Sequence, residues 1–267
     1  GKLWMWGANG DGMLGLNTPG SQYSSPVQLG SGTDWATFSR GYYSSLAVKT
    51  DGTLWTWGNN TYGQLGQNTG PSAKVSSPVQ IPGTTWSKPF GGHYCNAALK
   101  TDGTLWTWGR NFIGCLGHNN AHPVNPSSPV QIPGTTWSNF CFGHEDSAHG
   151  IKTDGTLWAW GYNARGQLGH NNRIEYSSPV QVPGTTWANV RAGKDSTHAV
   201  KTDGTLWGWG LNQYGQLGNN AITPSNSGLS SPVQIPGTSW STGEEDLAVI
   251  NRGTFAIKTD GTLWAWG

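Results

Sequence analysis

The sequence predicts an all-β fold, a β-propeller of four-stranded blades, on three observations. First, Lys-Thr-Asp-Gly-Thr-Leu-Trp-Thr-Trp-Gly at 49–58 returns nearly intact at 100–109, 152–161, 201–210 and 258–267, with a truncated copy, Gly-Lys-Leu-Trp-Met-Trp-Gly, at 1–7. Second, the glycines of these copies fall at Gly1, Gly52, Gly103, Gly155, Gly204 and Gly261, a period of 49 to 57 residues. A period of that size marks a repeat architecture. Third, each period holds about four short strand-like runs separated by glycine, proline and asparagine, the pattern of a propeller blade.

Within a repeat, Asp-Gly between two alternating apolar runs predicts a tight hairpin, because glycine accepts positive φ without a Cβ clash. Before it lies a run such as Ser45-Leu46-Ala47-Val48, and after it Thr53-Leu54-Trp55-Thr56-Trp57. Period-two geometry puts Trp55 and Trp57 on one face and Leu54 and Thr56 on the other. Apolar groups on both faces predict a strand sandwiched between layers. The segment 58–66, Gly-Asn-Asn-Thr-Tyr-Gly-Gln-Leu-Gly, and its equivalents at 7–15, 109–117, 161–169 and 210–218 read as an ordered turn plugged by a leucine. After a loop of variable length, Ser-Ser-Pro-Val-Gln recurs at 24–28, 76–80, 127–131, 177–181 and 230–234. It reads as an edge strand, where proline is tolerated. A Pro-Gly-Thr turn then usually leads to a lone tryptophan, Trp35, Trp86, Trp137, Trp187 or Trp240, which starts the next strand.

The Ala-x-Lys-Thr-Asp-Gly-Thr-Leu-Trp-x-Trp-Gly hairpin, the Asn-x-x-Gly-Gln-Leu-Gly turn and the Pro-Val segment together resemble the regulator of chromosome condensation repeat family, over essentially the whole chain. The resemblance implies a propeller, commonly seven-bladed. The family includes an exchange factor for a small GTPase, inhibitors of β-lactamases, ubiquitin-ligase subunits and many bacterial and phage proteins. It implies the fold and leaves the activity open, since one scaffold hosts many functions. The Trp-x-Trp strand occurs six times and each other strand five times, about twenty-one strands where a closed five-bladed ring needs twenty. The expectation is a single repeat-built domain over 1–267, with about five repeats and a partial one at Gly261. It is read as an incomplete ring or an array cut from a larger six- or seven-bladed one, with simple five-blade closure the third choice. The missing initiator methionine fits the same reading.

Composition excludes several classes. Seventeen tryptophans supply apolar surface, so forty-one glycines and fifteen prolines mark turns and not disorder. Charged residues are 11% and net charge is +1, with no basic stripe, which argues against nucleic acid. No apolar run approaches the roughly 18–20 residues of a membrane helix, so no membrane insertion is expected. The lysine before each Thr-Asp-Gly reads as part of a solvated, charge-balanced rim. Cys95, Cys115 and Cys141 have no metal-like spacing and read as free thiols. His93, His144, His149 and His198 fall near the start of the second strand and read as structural. His118, His122 and His170 lie in loops without a helical spacing that would suit a metal. No nucleophile elbow, phosphate loop or Cys-His pair stands out. No catalytic residue, cofactor or metal is therefore expected.

Departures from the repeat are the most informative residues, because catalysis and recognition break symmetry. Two kinds stand out. The loops after Gly-Gln-Leu-Gly vary in length and content, and they supply the binding candidates Tyr23, His118, His122, Arg173 and Tyr176. The last repeat carries Thr242-Gly243-Glu244-Glu245-Asp246, and Trp240 lies thirteen residues before Gly253 where the other repeats show a gap of six. Glu244 and Glu245 are candidates there, in a wedge or a local adjustment. The leading expectation is a non-enzymatic scaffold that binds a protein or an assembly neighbour, with an extracellular or virion-surface setting. The alternative is a carbohydrate-binding propeller that stacks sugars on Tyr23, Tyr62, Tyr176 or Tyr214.

Overall fold

The computed structural model describes residues 1–69, 72–120, 124–144, 146–224 and 227–267. The chain divides into two compact units, residues 1–111 with 122–135, and residues 112–121 with 136–267. In the first unit, β1 (Trp4–Ala8) pairs with β2 (Gln22–Gln28). The strands β3 (Trp35–Arg40), β4 (Ser44–Lys49), β5 (Leu54–Asn60) and β6 (Ser72–Ile81) then form a four-stranded antiparallel blade in chain order, and β7 (Trp86–Gly91), β8 (Cys95–Lys100), β9 (Leu105–Gly109) and β10 (Val130–Gln131) form another. In the second unit, β11 (Trp137–Phe142), β12 (Ser147–Lys152), β13 (Leu157–Gly161) and β14 (Tyr176–Gln181) make one blade. A further blade comprises β15 (Trp187–Ala192), β16 (Ser196–Lys201), β17 (Leu206–Leu211) and β18 (Gly228–Gln234), and β19 (Leu247–Val249), β20 (Thr254–Ile257) and β21 (Leu263–Trp266) make a three-stranded sheet. These are the four strand types the repeat predicts, each in its predicted place, and the Ser-Ser-Pro-Val-Gln strands sit at edges. No helix among the described residues is long and apolar enough to cross a membrane.

The hairpin is closed by side chains as well as backbone. Gly52 takes φ +78° and its N–H meets the Lys49 carbonyl at 3.0 Å. The Asp51 carboxylate accepts bonds from the Thr53 amide (3.0 Å) and hydroxyl (2.7 Å), and the Trp55 indole N–H then donates to the Thr53 hydroxyl at 2.9 Å. The same chain links Asp102, Thr104 and Trp106, and Asp203, Thr205 and Trp207. The threonine hydroxyl and amide hold the Asp51, Asp102 and Asp203 carboxyls below the usual carboxylate range.

The lysines do not form the expected charge-balanced rim. Each aspartate is engaged by its threonine, and each lysine ammonium lies between two indoles instead. Lys49 sits 5.0 Å from both the Trp35 and Trp55 rings, Lys100 is 4.1 Å from Trp106, and Lys201 is 4.6 Å from Trp207. A cation over an aromatic face gains from the ring quadrupole while its methylenes cover apolar surface. Lys49 adds an ion pair to Asp34 at 3.0 Å.

The two tryptophans of each Trp-x-Trp strand differ in burial. Trp57, Trp108, Trp160 and Trp209 are fully buried, whereas Trp55, Trp106, Trp158 and Trp207 are half-buried beneath their lysines. The fully buried indole reaches into the neighbouring blade's turn. Trp57 donates to the Met13 carbonyl, Trp108 to Gln64, Trp160 to Cys115 and Trp209 to Gln167, at 2.8–2.9 Å, and Trp266 donates to Gln216 at 3.0 Å. The residue after each of these carbonyls is the leucine that plugs the turn. The same carbonyls accept a second-strand side chain, Ser45 on Met13, Asn96 on Gln64, Thr197 on Gln167 and Thr254 on Gln216. Each blade is thereby fastened to the turn that precedes it. The tryptophans of the first and last copies are more open: Trp4 is 46% exposed, Trp6 57% and Trp264 49%.

His149 and His198 are fully buried in β12 and β16, in keeping with a structural role. Burial pushes the His149 imidazole down to about 4, against a hydrogen bond with the Gln167 carbonyl (3.0 Å), and pushes His198 down to about 3 against the nearby Gln216 and Leu217 backbone. Cys95, Cys115 and Cys141 are free thiols, and burial raises Cys141 to about 11.

The last repeat corrects the reading of its gap. Trp240 bridges Lys258 as Trp137 pairs with Lys152, and Leu247 faces Ala256 as Phe140 faces Gly150. Ile250 then donates to the Gly253 carbonyl as Gly143 donates to Ser147. Ile250, and not Gly253, therefore occupies the corner position, and the inserted residues lie between Trp240 and Leu247. They form a 3₁₀ turn, Glu244–Asp246, that splits the first strand of this blade.

Candidate functional site

The corner between the first and second strands of each blade is a fixed frame. In the first unit the Tyr43 carbonyl accepts the Asn59 amide (2.8 Å) and the Tyr94 carbonyl accepts the Arg110 amide (2.9 Å). In the second unit Asp146 accepts Tyr162 (3.1 Å) and Asp195 accepts Leu211 (2.8 Å). The glycine that ends each Trp-x-Trp run makes this approach possible. Gly58 and Gly109 have φ of +114° and +100°, and a Cβ on either would fall 2.6 Å from the corner carbonyl. With the backbone so constrained, the corner side chains are free to vary.

In the first unit they are aromatic. Tyr43 stacks on Tyr94 with centroids 4.6 Å apart and planes 19° apart, and Tyr42 meets His93 edge-on at 4.8 Å. Tyr62, from the turn after β5, packs on Tyr94 at 5.0 Å, and the Arg110 guanidinium lies 5.7 Å from Tyr62 and 5.6 Å from Tyr94. A hydrogen bond with the Tyr43 side chain, reinforced by burial, pushes the Tyr94 phenol up to about 12. Tyr42 is 54% exposed at the margin of this cluster. His93 is thus a member of an aromatic surface cluster and not a core histidine. Stacked rings with one exposed face and a neighbouring guanidinium form a rigid surface suited to stacking and hydrogen bonding, at low entropic cost on binding.

In the second unit the same corners carry His144, Lys194 with Asp195, and Asn251 with Arg252. Arg252 lies 4.4 Å from the Tyr214 ring. The inserted turn lies beside β15. Arg191 donates to the Glu244 carbonyl at 2.6 Å and Asn189 to the Gly243 carbonyl at 2.7 Å. The insertion is held by its backbone, which leaves the Glu245 side chain exposed and Glu244 half-buried.

The residues singled out in the sequence are spread over several strands and loops. Tyr23 is half-buried in β2 with its hydroxyl 2.7 Å from that of Thr18. His118 is half-buried beside the turn Phe112–Gly114, and His122 lies outside the described residues. Arg173 is exposed and donates to the Gly228 carbonyl at 3.1 Å. Tyr176 is half-buried, accepts a bond from Asn172 at 3.0 Å and meets His170 edge-on at 5.2 Å. Glu244 and Glu245 share the inserted turn. Attention to the loops after Gly-Gln-Leu-Gly passed over Tyr42, Tyr43 and Tyr94. Their signal was in the sequence: Tyr42, Tyr43 and Tyr94 stand in corners that elsewhere carry His144, Lys194 with Asp195, and Asn251 with Arg252.

The family profile described as "Regulator of chromosome condensation (RCC1) repeat" matches residues 1–48, 51–99, 102–145, 154–200 and 203–242. Among curated proteins, the chain is 29% identical over 172 residues to "Probable E3 ubiquitin-protein ligase HERC4" of Homo sapiens, covering 63% of this chain and 16% of that protein. It is 27% identical over 177 residues to "Ultraviolet-B receptor UVR8" of Arabidopsis thaliana, covering 66% of this chain and 40% of that protein. The chain thus spans a minor part of these relatives. Among solved structures, human WBSCR16 superposes with a TM-score of 0.85 at 19% identity, over 100% of this chain and 75% of that one. Prp20p of Saccharomyces cerevisiae, described with its binding to Gsp1p and histones, gives 0.81 at 20% identity, over 98% of this chain and 65% of that one. At these identities the structural likeness concerns the fold.

Proposed function

The chain belongs to the regulator of chromosome condensation repeat family, and from that premise we propose that it is a non-catalytic scaffold that binds a protein partner through the corner loops of its blades. The observation that carries this reading is the Tyr42, Tyr43, Tyr62, His93, Tyr94 and Arg110 cluster, an aromatic surface set on a backbone frame that is otherwise repeated. Tyrosine and arginine are the residues on which protein interfaces concentrate their energy. That the yeast neighbour is described by its binding of Gsp1p and histones supports a protein partner. Low charge and abundant Ser, Thr, Asn and Gly support a virion or cell-surface setting. The reading takes 1–267 as one repeat-built domain, for which a single cooperative unfolding transition is expected.

The test is copurification and cross-linking from the source, followed by affinity measurement with the captured protein. Tyr42→Ala and Tyr94→Ala are expected to weaken binding at least about tenfold, as for central interface tyrosines, while Tyr214→Ala leaves it unchanged. A protein that stays monomeric and partnerless at micromolar concentration overturns the proposal. The exposed ring of Tyr42 also favours a glycan-binding reading. Specific glycan-array binding that is lost in Tyr42→Ala would replace the protein partner with a sugar.

A further inference from the structure

The first unit is one-sided in charge. Residues 1–111 with 122–135 carry seven lysines and arginines against four aspartates and no glutamate. Three of the aspartates lie at the opposite end of the strands from the aromatic corner. Asp51 and Asp102 sit in the Asp-Gly hairpins, engaged by Thr53 and Thr104, and Asp34 pairs with Lys49 at 3.0 Å. The fourth, Asp11, is on the corner side, where the Asn59 amide donates to it at 3.3 Å and Lys74 pairs with it at 3.0 Å. Within this unit, no carboxylate on the corner side lacks a cation.

The cations of the corner are differently placed. Arg40 ends β3, two residues before Tyr42, and its side chain is exposed. It makes no ion pair among the described residues. Its backbone is fixed by the close approach of the two corners. A Cβ on Gly91 would fall 2.5 Å from the Arg40 carbonyl carbon, and one on Gly41 would fall 2.5 Å from the Gly92 carbonyl oxygen. The Tyr42 amide donates to that same Gly92 carbonyl at 2.9 Å. Arg40 and the exposed ring of Tyr42 therefore flank one rigid backbone crossing, beside His93. The Arg110 guanidinium lies on the far side of the ring cluster, against Tyr62 and Tyr94.

We propose that this corner binds an acidic segment of a partner protein, with carboxylates grouped about an aromatic side chain. The proposal rests on the corner-loop reading and names the chemistry of its partner. Charge complementarity selects the occupant: a basic segment would set like charges against Arg40, whereas an acidic one supplies the counter-ion that the corner lacks within its own unit. A carboxylate meets the Arg40 guanidinium through two parallel N–H bonds, a geometry that fixes register as well as adding energy. The partner's ring packs on the exposed face of Tyr42. Tyrosine takes such a ring at low entropic cost, because only two torsions are frozen and its neighbours already hold it.

The test titrates the full chain into a fluorescein-labelled peptide, Glu-Asp-Asp-Phe-Glu-Asp-Glu, and follows anisotropy. Saturable binding is expected, weakened at least about tenfold in Arg40→Glu, in Tyr42→Ala and when Gln and Asn replace the acids of the peptide. Raising the ionic strength from about 0.05 to about 0.5 M should weaken it by a similar factor. Lys2→Glu makes the same change of charge beside Trp35, at the other end of β3. That is roughly 17 Å away along the strand, beyond a Debye length, so the affinity should stay within about twofold. Cooperative unfolding of the variants establishes that they are folded. Absence of saturation up to about 1 mM protein, equal binding of the neutral peptide, or equal loss in Lys2→Glu overturns the proposal. So does displacement by single-stranded oligothymidylate at equal charge concentration, which assigns the corner to nucleic acid. A copurified partner whose binding needs Tyr42 but ignores Arg40→Glu overturns the acidic segment and leaves the corner-loop reading standing. A partner that also ignores Tyr42→Ala overturns both.

Discussion

The blade of β15–β18 and the sheet of β19–β21 carry nearly the same hairpin, yet their side chains live in different surroundings. Leu206 is fully buried and Leu263 is 66% exposed; Trp207 is half-buried and Trp264 is 49% exposed. Trp209 is fully buried, while Trp266 is only partly covered although it makes the equivalent bond to a turn carbonyl. The sequence motif places the ring; the adjoining strands decide how far it leaves water. Burial is a property of the neighbourhood, and most of its free energy scales with the area that neighbours remove from solvent.

The largest effect that would sharpen this contrast is on stability. Trp209→Ala should cost roughly 3–5 kcal/mol through lost burial and a residual cavity, and Trp264→Ala well under about 1 kcal/mol, as expected for an exposed site. Urea denaturation of the two variants checks it, and equal losses would break the comparison.

Acid comes next. His149 and His198 are held neutral below their ordinary range, so their folded forms bind fewer protons than the unfolded chain. Stability should be complete above pH ~6.5 and fall as pH drops toward about 4 for His149 and about 3 for His198. The slope is about 1.4 kcal/mol per pH unit for each histidine. The residue of β20 that aligns with His198 is Phe255. His198→Phe should therefore fold and remove one histidine's share of the slope, measured as unfolding free energy between pH 7 and 4. An unchanged slope would show that His198 is not buried as a neutral group.

A smaller effect is expected at the carbonyl of Gln167, which accepts the Trp209 indole, the Thr197 hydroxyl and the His149 ring. Thr197→Val removes one donor and should cost about 1 kcal/mol. Smallest is the cation between the indoles. Lys201→Met keeps much of the aliphatic cover and should cost about 0.5–1 kcal/mol, with a correspondingly small shift in the same denaturation curves.

The strands and their order were legible because each is specified locally. Asp-Gly closes a hairpin within four residues, alternation assigns faces, and a glycine that must take positive φ ends each Trp-x-Trp run. The lysine cages were not legible, because Lys201 and Trp187 meet only after β15 and β16 pair. Nor was the aromatic corner, since Tyr43 and Tyr94 stand in different repeats and touch only when their blades pack. The thirteen-residue gap misled for a similar reason. By residue identity Gly253 matches the corner glycines, whereas strand register puts Ile250 at the corner, and register is set by pairing with β20.

The sequence by itself determined the repeat, its four strand types, the turns between them and the family of folds they build. All of these follow from interactions among residues close in the chain. Tertiary structure decided which tryptophan of each pair is sealed and which loops form a surface. The deciding partners lie far along the chain: Trp57 bonds to Met13 across 44 residues, and Trp266 to Gln216 across 50. No local pattern encodes whether a neighbouring blade is there to supply that carbonyl.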